Sequence, residues 1–247
     1  MALVGETPYM PGKFLVVLTG RNCRSFMGGS LRSVAMQTNV EFEVIVVDDG
    51  SSDVDQPTQL EIFCQAHGWN FVAQPESVGA LYNQVHAIRS MNLDPDDIIV
   101  FVDLDGDQLA HPGVLEFLQG AYADGTLVTY GSYRSEPFSP TCSPALPYPE
   151  QVIAKNDYRR YALGGGGILF NHLRTMRHQV FSQMSEKDWT WPDGTWFQAC
   201  TDAALMIPAM ELARGRVKFV EDCLYIYNSA NPVSDWRIQP TEVDRVH

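Results

Sequence analysis

Residues 98–107 read Ile-Ile-Val-Phe-Val-Asp-Leu-Asp-Gly-Asp, an apolar run that ends in three acids at alternating positions. Five consecutive apolar residues suit a strand buried on both faces of a parallel sheet. If the chain stays extended past Val102, Asp103 and Asp105 point to the same side, because strand side chains repeat every two residues. Two converging carboxylates repel each other unless a cation or proton intervenes, and a divalent metal carrying a phosphate-rich ligand is the natural guest. The carboxyl end of a central strand is also where open α/β sheets bind ligands.

A second acidic strand end lies upstream, where Asp48 and Asp49 follow Val44–Val47 and precede Gly50-Ser51-Ser52-Asp53. An ionised Asp only accepts hydrogen bonds, which suits ribose hydroxyls or a base N–H. Asp202 opens an apolar helical segment, where it can cap the helix or serve as a base. His172 stands beside Arg174 near an expected helix start, where backbone N–H groups favour anions. Arg159 and Arg160 form a basic pair that suits phosphate or plain solvation. Trp189, Trp191 and Trp196 suit stacking on a sugar or acceptor, or core packing.

The elements that must position these residues alternate. The pattern predicts strands over Phe14–Leu18, Val44–Val47, Asn70–Ala73, Ile98–Asp103 and Thr126–Tyr130, separated by helices over Ser25–Gln37, Thr58–Ala66, Gly79–Met91 and Pro112–Ala123. Such alternation predicts an α/β fold with a doubly wound, largely parallel sheet. Residues 134–160 hold five prolines among serines and read as an irregular loop, either a functional lid or an insertion. The run Gly164–Gly167 suits a close backbone approach or a bend. Beyond it, Asn171 is expected to cap a helix carrying the stripe Leu173, Met176, Val180, Phe181 and Met184. A helix over Asp202–Ala213 kinked at Pro208, strands over Val217–Val220 and Leu224–Tyr227, and an irregular tail from Asn228 complete the reading.

The 247 residues suit a single domain, divided as 14–131, the loop 134–160, 161–232 and a tail 233–247. Lys and Arg number 17 against 30 Asp and Glu, a net charge of −13, which disfavours loose binding to nucleic acid or anionic membrane. Five scattered cysteines without a CxxC pair argue against a disulfide framework or zinc site and for a reducing cytoplasm. The start of the chain lacks a signal-peptide pattern, and no apolar run reaches the ~20 residues of a membrane span. A soluble, cytoplasmic protein is expected.

The chain resembles the glycosyltransferase family 2 enzymes of the GT-A fold. The matching residues run from Val16-Val17-Leu18-Thr19 through Ser30-Leu31-Arg32-Ser33-Val34 and Gln37-Thr38 to Val46-Val47-Asp48-Asp49-Gly50-Ser51-Ser52-Asp53. They continue through Val78-Gly79-Ala80 and Asn83 to Phe101-Val102-Asp103-Leu104-Asp105, the family's DxD motif. His172-Leu173-Arg174-Thr175, Asp193-Gly194, Asp202-Ala203-Ala204-Leu205, Pro208, Glu211-Leu212-Ala213 and Leu224-Tyr225-Ile226-Tyr227-Asn228 look like a subset that includes members encoded by phages and large DNA viruses, for which the location would be the host cytoplasm. The resemblance implies a donor half for residues 14–131 and an acceptor half for 161–232. It implies that Thr19 and Asp49, with Asp48, hold the nucleotide, joined by Gly79, Leu104, His172 and Arg174. Asp103 would face ribose or metal, and Asp105 would ligate Mn2+ or Mg2+ bridging the diphosphate of a UDP-sugar or similar donor. Asp202 matches the general base that deprotonates the acceptor hydroxyl in an inverting displacement. The processive members' Gln-x-x-Arg-Trp motif is absent.

Two other classes use similar parts. A nucleotidyltransferase acting on a sugar phosphate would open with a glycine-rich basic loop after the first strand, whereas this chain reads Thr19-Gly20-Arg21-Asn22-Cys23. A non-catalytic nucleotide-sugar binder could keep the fold alone. The acceptor stays open between a modified DNA base such as 5-hydroxymethylcytosine, a protein side chain and a growing glycan. The loop 134–160 and Asp188–Thr201 are expected to shape its pocket. A basic groove of Arg159, Arg160, Arg174 and Arg177 would be needed for DNA.

Overall fold

A computed structural model describes residues 12–137, 139–143 and 145–231. The expected tail, 233–247, lies outside them. The chain runs β1 (Phe14–Gly20), α1 (Met27–Ala35), β2 (Phe42–Asp48), α2 (Asp55–His67), β3 (Asn70–Ala73), α3 (Ala80–Ser90), β4 (Ile98–Asp103), β5 (Gln108–Leu109) and α4 (Val114–Ala121). It continues through β6 (Val128–Glu136), β7 (Ser139–Ser143), α5 (Glu150–Lys155), α6 (Tyr158–Tyr161), β8 (Asn171–Arg177), α7 (His178–Phe181), α8 (Thr201–Ala213) and β9 (Val217–Asn228).

Among the described residues, nine strands form one sheet, ordered β3-β2-β1-β4-β8-β6-β9-β5, with β7 paired to β6. Strands β3, β2, β1 and β4 are parallel, so their carboxyl ends share one edge, and Thr19, Val47 and Asp103 lie in register there. Beyond β4 the sheet becomes mixed: β8 is antiparallel to both β4 and β6, and β6 is parallel to β9.

Strand alternation sorts the apolar runs into two cores. Leu15, Val17, Ile99 and Phe101 face one layer with Leu81, Val85 and Ile88 of α3 and Leu205, Met206 and Met210 of α8. Phe14, Val16, Leu18, Ile98, Val100 and Val102 face the other with Leu31 and Val34 of α1, Leu60 of α2 and Leu115 and Leu118 of α4. Coverage on both faces is why β1 and β4 carry continuous apolar residues. Each such side chain contributes about 1.5–3 kcal/mol by leaving water.

Several expectations are corrected. The segment expected to be a helix capped by Asn171 is strand β8, followed by only the short helix His178–Phe181. Its residues His172–Arg177 are all buried, so it shows no strand-like alternation, and its apolar spacing coincides with a helical stripe. The loop expected over 134–160 contains the end of β6, β7 and α5. The two closing strands are one continuous β9, and its end at Asn228 is anchored rather than irregular. Cys142 of β7 and Cys223 of β9 form a disulfide with a Cα–Cα separation of 6.3 Å, although the scattered cysteines argue against a disulfide framework. Their sequence separation of 81 residues hides the pairing, because only the fold brings β7 and β9 to flanking positions beside β6.

Candidate functional site

Strand β4 stops at Asp103, and residues 104–106 form a turn. Gly106, at φ +107°, makes that turn in a conformation few side chains adopt, with Asn228 packed where a Cβ would sit. The extended continuation that would align Asp103 with Asp105 therefore does not occur. Asp105 turns toward the end of β9, where its Oδ2 accepts from Asn231 Nδ2 at 2.6 Å and its carbonyl accepts from Asn228 Nδ2 at 2.7 Å. The turn instead brings Asp107 inward, and its Oδ1 accepts the Asn228 backbone N–H at 2.7 Å. One oxygen of Asp103, one of Asp107 and one ring nitrogen of His172 lie within 4.8 Å of one another. Asp107 is the third acid of the run, and the sequence assigns it no role. Its signal is the glycine between Asp105 and Asp107, which permits a turn and shifts the acid that faces the site.

The electrostatics of this cluster favour a cation. Burial pushes the Asp107 carboxyl well above the usual carboxylate range, and the charges of Asp105 and Asp103 push it further. Among the described residues, Asp107 Oδ2 is buried without a hydrogen bond. Asp103 is also raised, chiefly by desolvation, although its side chain is 34% exposed and Arg174 acts in the opposite direction. Burial, then the Arg174 charge, holds His172 well below the ordinary histidine range, so its ring is neutral as a metal ligand requires. His172 stacks on Tyr225, with ring centroids 4.4 Å apart, and the Tyr225 hydroxyl accepts the Asp103 backbone N–H at 3.1 Å.

Arg174 follows His172 on β8 and is nearly fully buried. Its NH2 lies 3.7 Å from Asp103 Oδ2 and 3.2 Å from His172 Nδ1, and its NH1 forms an ion pair with Asp202 Oδ1. Asp202 occupies the first turn of α8 with its side chain 48% exposed. One guanidinium thus joins the acid cluster to a solvent-facing carboxylate.

On the other side of β4 lie the residues expected to meet a nucleotide. Asp48 accepts from Ser51 Oγ at 2.6 Å, Ser51 N at 3.0 Å and Gln56 Nε2 at 2.7 Å. Asp49 accepts from Ser77 Oγ at 2.7 Å, Val78 N at 2.8 Å, Gly79 N at 3.2 Å and Asn83 Nδ2 at 2.7 Å. These bonds pin the loop before α3 against the end of β2. Gly79 itself has φ +96°, and Gln198 fills the space a Cβ would need. Thr19 is buried, with Gln84 Nε2 at 3.5 Å from its hydroxyl and the Leu104 N–H on its carbonyl at 3.0 Å. The Leu104 side chain belongs to the core, so only its backbone reaches this edge.

The other candidates pack or pair within the described residues. Trp189 is fully buried, with the Arg89 guanidinium 5.1 Å from its ring, and Trp196 packs edge-on to Tyr82 of α3 at 5.1 Å. Trp191 packs on Phe197. Arg177 is buried and donates to the carbonyls of Thr126, Asp96 and Tyr122, each at 2.9 Å. Arg159 pairs with Glu211 at 3.5 Å, and Arg160 lies 3.9 Å from Asp157. With Arg174 and Arg177 buried, the four arginines do not form a basic groove.

A sheet of this order, with acids gathered at the carboxyl end of its central parallel strand, is the GT-A fold of nucleotide-sugar transferases. Residues 15–184 match the description Glycosyl transferase family 2, and the chain belongs to that family. The fold is shared with S. aureus TarS at TM-score 0.66 and 17% identity, covering 95% of this chain and 38% of TarS. It is shared with the mannosyltransferase PcManGT from Pyrobaculum calidifontis, solved with GDP-Man and Mn2+, at TM-score 0.62 and 16% identity, covering 94% of this chain and 61% of that one. Glucosyl-3-phosphoglycerate synthase from Mycobacterium tuberculosis, solved with Mn2+, UDP and glucosyl-3-phosphoglycerate, matches at TM-score 0.55 and 17% identity over 90% of this chain and 73% of its own. The chain therefore spans well under half the length of TarS. No curated protein matches it in sequence. Among the described residues no helix is long and apolar enough to cross a membrane.

Proposed function

We propose that this protein is an inverting, metal-dependent glycosyltransferase that moves a sugar from a nucleotide-diphosphate donor, a UDP-sugar, to an acceptor hydroxyl. The observation that carries this reading is the meeting of Asp103, Asp107 and His172 beside the Arg174–Asp202 ion pair. A neutral imidazole, a buried carboxylate oxygen without a hydrogen bond and a second carboxylate form a donor set suited to Mn2+ or Mg2+. Asp103, Asp107 and His172 would hold the ion, which when bound would offset the charge of the departing diphosphate. Solved relatives of the same fold with UDP-GlcNAc, with GDP-Man and Mn2+, and with UDP and Mn2+ support the donor class.

The remaining work falls to the chain's own side chains. Asp48 and Asp49 fix the loops that border the nucleotide, with Thr19 and Gly79 on the same edge. Asp202, exposed at the start of α8, takes the proton from the acceptor hydroxyl as it attacks the anomeric carbon. Arg174 orients that carboxylate through their ion pair. A single displacement assisted by one base inverts the anomeric configuration.

The test is a screen of nucleotide sugars with Mn2+ for nucleotide release, followed by the productive donor against glycan, protein and hydroxymethylated-DNA acceptors. Product anomers are assigned by NMR. A product that retains the donor's anomeric configuration sinks the single-displacement mechanism, and undiminished transfer by Asp202→Asn sinks the assigned base.

A further inference from the structure

The candidate metal ligands come from β4, the turn after it and β8, yet the groups that hold them in place come from the end of β9. Asn228 donates its backbone N–H to Asp107 Oδ1 and its side-chain N–H to the Asp105 carbonyl, both at 2.7 Å. Asn231 donates to the Asp105 carboxylate at 2.6 Å. The Asn228 side-chain oxygen accepts the Ala230 N–H at 3.1 Å, which locks the amide's orientation. Its nitrogen therefore faces Asp105, and Gly106 has no Cβ to keep it away. Asp105, the acid that sequence alone places on the metal, is instead the handle by which β9 grips the turn.

From this geometry we propose that Asn228 and Asn231 are positioning residues for the metal, a role that rests on the metal reading given above. They set metal affinity by fixing the conformation of the 105–107 turn, and so the aim of Asp107. Without Asn228's amide the Asp105 carbonyl loses its donor, the turn relaxes and Asp107 leaves the reach of Asp103 and His172. Groups that orient metal ligands typically change affinity about 10- to 100-fold when removed.

The experiment measures Mn2+ binding to the full chain by calorimetry and by the loss of the aqueous Mn2+ EPR signal, without donor or acceptor. Asn228→Ala is expected to weaken Mn2+ binding by about 10-fold or more, and Asn231→Ala by a smaller factor. The melting temperature of each metal-free variant is recorded alongside. Asn231→Ala removes the side-chain bond to Asp105 at the described end of the chain, so it carries the test if Asn228→Ala does not fold. Unchanged Mn2+ affinity in folded variants overturns the positioning role. Failure of the unsubstituted protein to bind Mn2+ overturns the metal reading itself, a result separable from the first.

Discussion

Arg174 lies between Asp103 and Asp202, 3.7 Å from the first and paired with the second, so one buried cation touches both halves of the site. Asp202→Asn removes the proposed proton acceptor while keeping the side chain's size. Transfer is expected to fall by about 100- to 10,000-fold, the usual reach of a general base, while UDP and Mn2+ affinities stay near those of the unsubstituted protein. Steady-state kinetics beside calorimetric titration with UDP and Mn2+ separate the two effects. Arg174→Lys keeps a charge but not a two-pronged geometry, and is expected to lower the transfer rate with donor affinity changing less.

The three acids of the β4 turn are expected to differ in their importance for metal. Asp107→Asn and His172→Ala each remove a proposed ligand and are expected to weaken Mn2+ binding at least ~10-fold. Asp105→Asn leaves an oxygen able to accept from Asn231 and is expected to have a smaller effect. Equal losses at Asp105 and Asp107 in a Mn2+ titration would return Asp105 to the ligand set.

Asp49 gathers four donors from residues 77–83. Asp49→Asn replaces one acceptor oxygen by an NH2 facing those donors, leaving some of them unsatisfied. The expected cost is about 1–3 kcal/mol, or a fall of about 2–4 °C in melting temperature per kcal/mol. Nucleotide binding should weaken with it, measured by thermal shift with and without UDP.

One ion pair predicts a pH response away from the site. Lys218, then Thr126, lowers the Asp124 carboxyl to about 2 from its ordinary 3.8. A depressed folded-state value contributes stability above the unfolded value and loses it as pH falls through the folded one. The stability difference between the unsubstituted protein and Asp124→Asn should therefore be constant above pH about 4 and vanish by about pH 2. The pair is exposed, so the plateau is under about 1 kcal/mol. Urea denaturation across that range measures it, and a difference that persists at the acid end would contradict the assignment.

The parallel half of the fold was legible because β1, β2 and β4 are apolar runs, the latter two closed by acids, and β3 is predicted with the bounds Asn70–Ala73 that the structure shows. Strand β8 was not, because burial on both faces erases the two-residue alternation that separates strand from helix. In the site, Asp48, Asp49, Asp103, Asp202, His172 and Arg174 were all visible as residue types. What the sequence could not show was geometry. Gly106 turns the backbone after Asp103, which brings Asp107 within 4.8 Å of Asp103 and His172. Asn228 and Asn231 looked like tail, since only tertiary contacts more than a hundred residues apart give them work.

Those long separations bear on how the protein is made. The contacts from β9 to the acidic turn close loops of 121 to 126 residues, and the Tyr225 hydroxyl reaches Asp103 across 122. A chain emerging from the ribosome can pair β1, β2 and β4 first, because all three lie before residue 104 and domains assemble from the amino-terminal side. Its acids nonetheless remain without their supports until residue 228 and its neighbours have emerged. On the proposed reading, metal capture would thereby be tied to the completion of β9, so a growing chain would not hold the proposed site before that strand has joined the sheet.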